Sequence, residues 1–197
     1  MPTLPADDKG TVLYYEDSGA PDSDGAKDYV TVALVHGIIF HGTRSAPIAD
    51  SDTGSAKNGR VPIADTRLSI GIFRRMFPFA KKHGIRLVAI NRRDYAGSTP
   101  YTPLEHDRLM GTDEAAHRAA LLQEGQELAT FLEHLVRALD IAKVHTAQDG
   151  TRTGGLAVLG WSSGNLPVLS MLGNALDLPQ SQQGVLRDYL RTSVIYG

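Results

Sequence analysis

At 197 residues the chain has the length of one α/β domain, and its 42% hydrophobic and 21% charged residues are the balance of an ordinary globular protein. Twenty Lys+Arg against 22 Asp+Glu leave a net charge of −2, which argues against a nucleic-acid or anionic-membrane partner and leaves small molecules as the expected ligands. The absence of cysteine excludes disulfides, thiolate catalysis and Cys-ligated zinc.

The first ten residues, MPTLPADDKG, are polar and lack the basic-then-apolar profile of a secretory signal. No apolar run approaches the roughly 18 to 20 residues of a membrane span. A cytoplasmic protein with no membrane association is therefore the expectation. Residues 11–17 hold β-forming side chains between Gly10 and Ser18-Gly19 and read as a strand. Residues 29–35 form a nearly continuous β-branched and apolar run that stops at His36-Gly37, the pattern of a central parallel strand buried on both faces.

From 43 to 66 the chain turns to Ser, Asp, Gly, Ala and Pro without periodicity, and a mobile surface insertion is expected there. Residues 70–83 place Ile72, Phe73, Met76, Phe77 and Ala80 at helical spacing, interrupted by Pro78 and stopped by Gly84. A short strand over 86–90 follows, then a turn-rich stretch to Pro103. Residues 115–140 repeat apolar side chains at threes and fours, from Ala119 to Leu139, and predict a long amphipathic helix weakened at Gly125. Strand 156–159, a glycine-bracketed turn, a helix over 166–176 and a strand over 193–196 complete the series. Strands alternating with helices predict one doubly wound, mostly parallel sheet with helices on both faces, a single domain over 1–197.

The turn after the third parallel strand reads Gly160-Trp161-Ser162-Ser163-Gly164. A serine hydroxyl is a weak nucleophile and must be held out beside a base and beside donors for an oxyanion. Glycines two before and two after the serine let a strand reverse into a helix so tightly that the hydroxyl stands exposed. With the glycine and serine content of this chain, a bare Gly-x-Ser-x-Gly arises by chance in about one sequence of eight. The apolar strand directly before it and the helix-compatible run directly after it carry the reading. Ser162 is thus the candidate nucleophile and the Ser163 N–H a candidate oxyanion donor. His36-Gly37 ends an earlier strand, and the glycine lets the backbone turn toward the serine, so the Ile38 N–H is the candidate second donor.

These motifs, together with Asn91-Arg92-Arg93-Asp94-Tyr95-Ala96-Gly97-Ser98-Thr99 after the intervening strand, resemble the N-terminal portion of an α/β-hydrolase of the kind found in fungal serine hydrolases. The middle segment departs from that family's Asp-x-Arg-Gly-x-Gly-x-Ser turn at Asn91, Asp94 and Ala96. The resemblance implies hydrolysis of an ester, thioester or amide through a serine ester, with no cofactor and no metal. It also implies an order of serine, acid, histidine. After Ser162 the chain holds no histidine, and its acids are Asp177 and Asp188. Asp188 precedes the last strand and belongs at the opposite end of the sheet. Asp177 lies about 15 Å along the helix that follows the serine.

The upstream histidines 36, 41, 106 and 117 are expected on the carboxyl edge as unpartnered surface groups, and Arg92-Arg93 as a loop anchor or solvated pair. The expectation is accordingly a sheet cut off after about its sixth strand. Such a chain is expected to show little turnover and to expose apolar surface at its C-terminal edge strand, a route to self-association. A noncatalytic binding module that keeps the pocket is the alternative from another class.

Overall fold

The computed structural model describes residues 2–21, 27–37 and 67–197. In chain order its elements are β1 (Thr3–Pro5), β2 (Val12–Asp17), β3 (Val30–Val35), α1 (Arg67–Arg74), α2 (Phe77–Lys82), β4 (Ile85–Ile90), α3 (Pro103–Met110), α4 (Glu114–Ala138), β5 (His145–Thr146), β6 (Arg152–Thr153), β7 (Leu156–Trp161), α5 (Asn165–Gly173), α6 (Gln180–Tyr189) and β8 (Leu190–Tyr196). Short 3-10 turns occupy Ser162–Gly164 and Ala175–Asp177 on either side of α5. The surface insertion expected over 43–66 lies outside the described residues.

Six strands form one sheet in the order β1-β2-β4-β3-β7-β8. The β4, β3, β7 and β8 strands are parallel, and the inner three, β4, β3 and β7, are largely apolar on both faces because helices cover both. Val88 and Ile90 of β4, Ala33 and Val35 of β3, and Leu156 and Val158 of β7 point to one side, against Leu128, Phe131, Leu132 and Leu135 of α4, Val168 and Met171 of α5 and Val185 of α6. Leu34, Leu87 and Ala89 point to the other, against Ile70 and Phe73 of α1 and Ala80 of α2.

The mostly parallel expectation fails at one edge. β2 runs antiparallel to β4, and β1 antiparallel to β2. The N-terminal segment, polar in sequence, is recruited as an edge strand, where Pro5 costs the ladder little. β8 forms the other edge, leaving Val194, Ile195 and Tyr196 exposed.

The helix expected over 70–83 is two helices, α1 and α2, with a break between Arg74 and Phe77. Pro78 falls in the first turn of α2, where its missing N–H is no loss. α3 went unread in the sequence although Thr102 and Glu105 form a reciprocal capping box ahead of it. In α4 the buried stripe begins only at Glu124, and Ala119 is exposed. Gly125 is a contact point: a Cβ there would stand 2.7 Å from both the Met171 nitrogen and Ser170 Oγ of α5. The residue that weakens the helix is what lets α5 pack against it. Among the described residues no helix is long and apolar enough to cross a membrane.

Candidate active site

Val35 pairs with Ile90 on one side and Gly160 on the other. Three parallel strands therefore end close to one another, and residues 36–37, 91–94 and 162–164 leave the sheet along one edge. From β3 the chain crosses to β4 on one side, whereas from β7 it crosses to β8 on the other. Adjacent strands whose connections depart in opposite directions leave a crevice at their carboxyl ends. Here that crevice lies between β3 and β7, and Gly37 and Ser162 occupy its walls.

Ser162 is exposed and adopts φ 54°, a left-handed conformation that costs a non-glycine residue of order 1–3 kcal/mol. Its surroundings enforce the turn. A Cβ on Gly164 would lie 2.3 Å from the Val35 carbonyl oxygen and 2.7 Å from that of His36, and a Cβ on Gly160 would lie 2.6 Å from Asn165 Oδ1. Across the crevice, a Cβ on Gly37 would approach Ser162 Cβ to 2.8 Å. All three glycines singled out in the sequence are thus sites of close backbone approach. Trp161 is the final residue of β7, half-buried against the α1/α2 face. Asn165 Nδ2 donates to the Tyr196 carbonyl oxygen at 3.1 Å, joining the start of α5 to the end of β8. The Ile38 N–H, the second expected oxyanion donor, lies outside the described residues, as does His41.

His36 differs from expectation. It is fully buried, not a surface group, because the β3 end is covered by the 91–99 loop, with Tyr95 edge-on 4.3 Å away. Its Nδ1–H donates to the Gly37 carbonyl oxygen at 2.6 Å, and its Nε2 accepts from the Arg92 N–H at 3.2 Å. Both ring nitrogens are committed, which fixes one neutral tautomer and leaves neither to act on Ser162. Burial pushes its pKa down from 6.5 to about 4. The unfolded chain therefore takes up a proton that the folded chain refuses, and stability falls as pH drops from about 6.5 toward 4. The expected loss between pH 7 and pH 4.5 is about 2–3 kcal/mol. Urea unfolding at the two values checks this. His36→Gln should show a shallower pH slope, and an equal slope in both proteins would remove His36 as its source.

Two of the other expected histidines lie on α3 and α4. His106 pairs with Asp94 (Nε2 to Oδ2 2.9 Å), and His117 lies on α4 with Nε2 making no hydrogen bond to the described residues. Asp188 is bound by Lys143 and Arg187 just before β8, at the far end of the sheet, and Asp177 is exposed beyond α5. Among the described residues no group of His, Asp and Glu is arranged to hold a metal ion.

The 91–105 segment holds what sequence reasoning missed. Asp94 takes φ 68°, a left-handed conformation that favours glycine. Arg93 is buried, with Nη1 on Glu105 (2.7 Å) and Glu127 (3.0 Å) and its guanidinium 4.3 Å above the Tyr101 ring. The Arg93 contact holds the Glu105 carboxyl well below the ordinary range, whereas burial raises Glu127. Arg92 pairs with Glu124, Nη2 lying 2.9 Å from Oε1 and 3.1 Å from Oε2, and its Nη1 donates to Ser163 Oγ at 3.3 Å. Tyr101 donates to the same Glu124 Oε1 at 2.6 Å, and burial followed by the Glu124 charge raises its phenol. The loop-anchor reading of the two arginines agrees with these contacts. Glu124 and Glu127 carried a signal: two acids three residues apart on the stripe that runs on into Leu128 and Phe131 need buried partners.

The fold is α/β, a mixed six-stranded sheet with helices on both faces. Among solved structures the chain is similar to the bromoperoxidase from Bacillus anthracis, at 15% sequence identity and a TM-score of 0.44, over 98% of this chain and 43% of that one. The chain thus spans less than half the length of that protein. No protein-family model and no curated protein matches it.

Proposed function

We propose that the chain carries the nucleophile half of a serine hydrolase of the α/β-hydrolase type, in which Ser162 attacks an ester, thioester or amide to form an acyl-enzyme. The observation that carries the reading is the conformation of Ser162: a left-handed, exposed serine at the carboxyl end of a central parallel strand, in the crevice where the chain reverses direction. Strain held in place by the surrounding backbone at an exposed serine points to use of its hydroxyl. In this proposal the N–H groups of Ser163 and Ile38 receive the oxyanion, and the general base and its acid are assigned to no residue of this chain. No cofactor or metal enters the chemistry.

An oxyanion cradle without a base still leaves a rate advantage on the order of 10³ over water. With p-nitrophenyl acetate the purified chain is expected to acquire one acetyl group on Ser162, mapped by mass spectrometry, and to hydrolyse the ester only in traces. Ser162→Ala should abolish the adduct. Acetylation scattered over lysines, unchanged in Ser162→Ala, would favour the noncatalytic binding module instead. Turnover near the enzymatic median of about 10 s⁻¹ would mean that a base is present after all.

A further inference from the structure

Arg92 touches both sides of the crevice. Its backbone N–H holds His36 Nε2 beside Gly37, and its guanidinium holds Ser163 Oγ in the turn after β7. The guanidinium is itself fixed by two hydrogen bonds to Glu124, 8% exposed in its side chain, and Glu124 in turn accepts from Tyr101. Glu124 lies one residue before Gly125, where a Cβ would stand 2.7 Å from Met171 N and Ser170 Oγ of α5. The anchor is thus seated beside a close contact between α4 and α5.

We infer that Arg92 is a positioning residue: locked by Glu124, it sets the spacing between the β3 end at His36-Gly37 and the Ser162-Ser163 turn, and so holds the Ser163 N–H in place for an oxyanion. The inference rests on the serine-hydrolase reading for its chemical purpose, and on contacts alone for its mechanical claim. Arginine suits the task because its planar fork can engage a carboxylate with one nitrogen while another reaches a hydroxyl. A 3-10 turn of three residues has few hydrogen bonds of its own. A side-chain tie narrows the rotation of its amides, and an oxyanion donor misplaced by about 1 Å can cost 100-fold in rate.

Two substitutions probe the tie from its two ends. Ser163→Ala removes only the acceptor hydroxyl, keeps the backbone N–H, and leaves the Arg92–Glu124 pair intact. Arg92→Gln removes the guanidinium. The first readout is the ¹⁵N relaxation order parameter of the Ser163 amide, expected to fall from the rigid range near 0.85 to below about 0.6 in either variant. The amides of β7 and α4 should stay rigid. The second is the rate of Ser162 acetylation by p-nitrophenyl acetate, expected to fall at least tenfold at saturating ester with little change in the half-saturating concentration.

Because the two substitutions break the Arg92–Ser163 contact in common, the double variant should be no slower or looser than the worse single. A Ser163 amide that stays rigid in Ser163→Ala, or effects that add in the double variant, would overturn the inference. General loosening of Arg92→Gln is distinguished by Ser163→Ala, which disturbs no buried charge. If the wild-type chain takes up no acetyl group, the hydrolase reading falls. The order parameters still decide whether Arg92 holds the turn.

Discussion

Arg93→Met is expected to cost about 3–5 kcal/mol of unfolding free energy at pH 7, the usual result of removing one partner from a buried ion pair. The Arg93 side chain is 3% exposed and Glu127 6% exposed. Besides its two carboxylates, the guanidinium donates to the Pro100 carbonyl oxygen at 3.0 Å. It therefore ties the 91–105 segment to α4 from within. Methionine fills much of the volume but leaves Glu127 with Gln123 as its remaining hydrogen-bond donor. An unpaired carboxylate in that position must ionise at a high cost or take a proton.

The loss should therefore shrink at pH 5, where protonating Glu127 is cheap. Adding Glu127→Gln to Arg93→Met should recover part of the stability, since the stranded charge goes with it. Urea unfolding of the three proteins at both pH values tests the account. A loss under about 1 kcal/mol for Arg93→Met would mean that the pair is solvated, as exposed pairs are.

Gly164→Ala should be of similar size, about 3 kcal/mol or more, for a steric reason. Its Cβ would meet backbone oxygens of Val35 and His36, and backbone of a central strand cannot swing aside as a side chain could. Either the turn lifts off β3 or β3 shifts against β4. Both moves widen the crevice and separate Ser162 from Gly37. Gly173→Ala is the control, since a Cβ there meets nothing within 4 Å and the residue lies in α5. That change should leave stability unchanged or raise it by about 0.5–1 kcal/mol. Thermal and urea unfolding give the comparison directly. Equal effects from the two alanines would show that the 160–164 turn can relax, and that its glycines are not needed for close approach.

These two sites divide what sequence patterns can and cannot reveal. The sequence by itself determined the elements whose cause is local. Continuous apolar runs marked β3, β4 and β7 because a strand covered on both faces has no polar side to show. Glycines at 160 and 164 stood out because a turn of that tightness admits no Cβ, and Gly37 because it lets the backbone turn; a Cβ would stand 2.8 Å from its nearest neighbour at Gly37, 2.6 Å at Gly160 and 2.3 Å at Gly164. Tertiary structure alone decided matters that depend on distant neighbours. β1 and β2 run antiparallel because their ladder partners are chosen across the chain, and no local period encodes strand direction. The crevice between β3 and β7 arises from the order in which strands are laid down, which is invisible until the sheet is assembled. His36 is buried because a loop 55 or more residues later closes over it. In the sequence Arg92-Arg93 read as a loop anchor or a solvated pair, and nothing local marked Glu124 and Glu127 of α4 as their partners; the four form a buried network because the fold brings α4 against the 91–105 segment, where each charge could be desolvated only beside an opposite one.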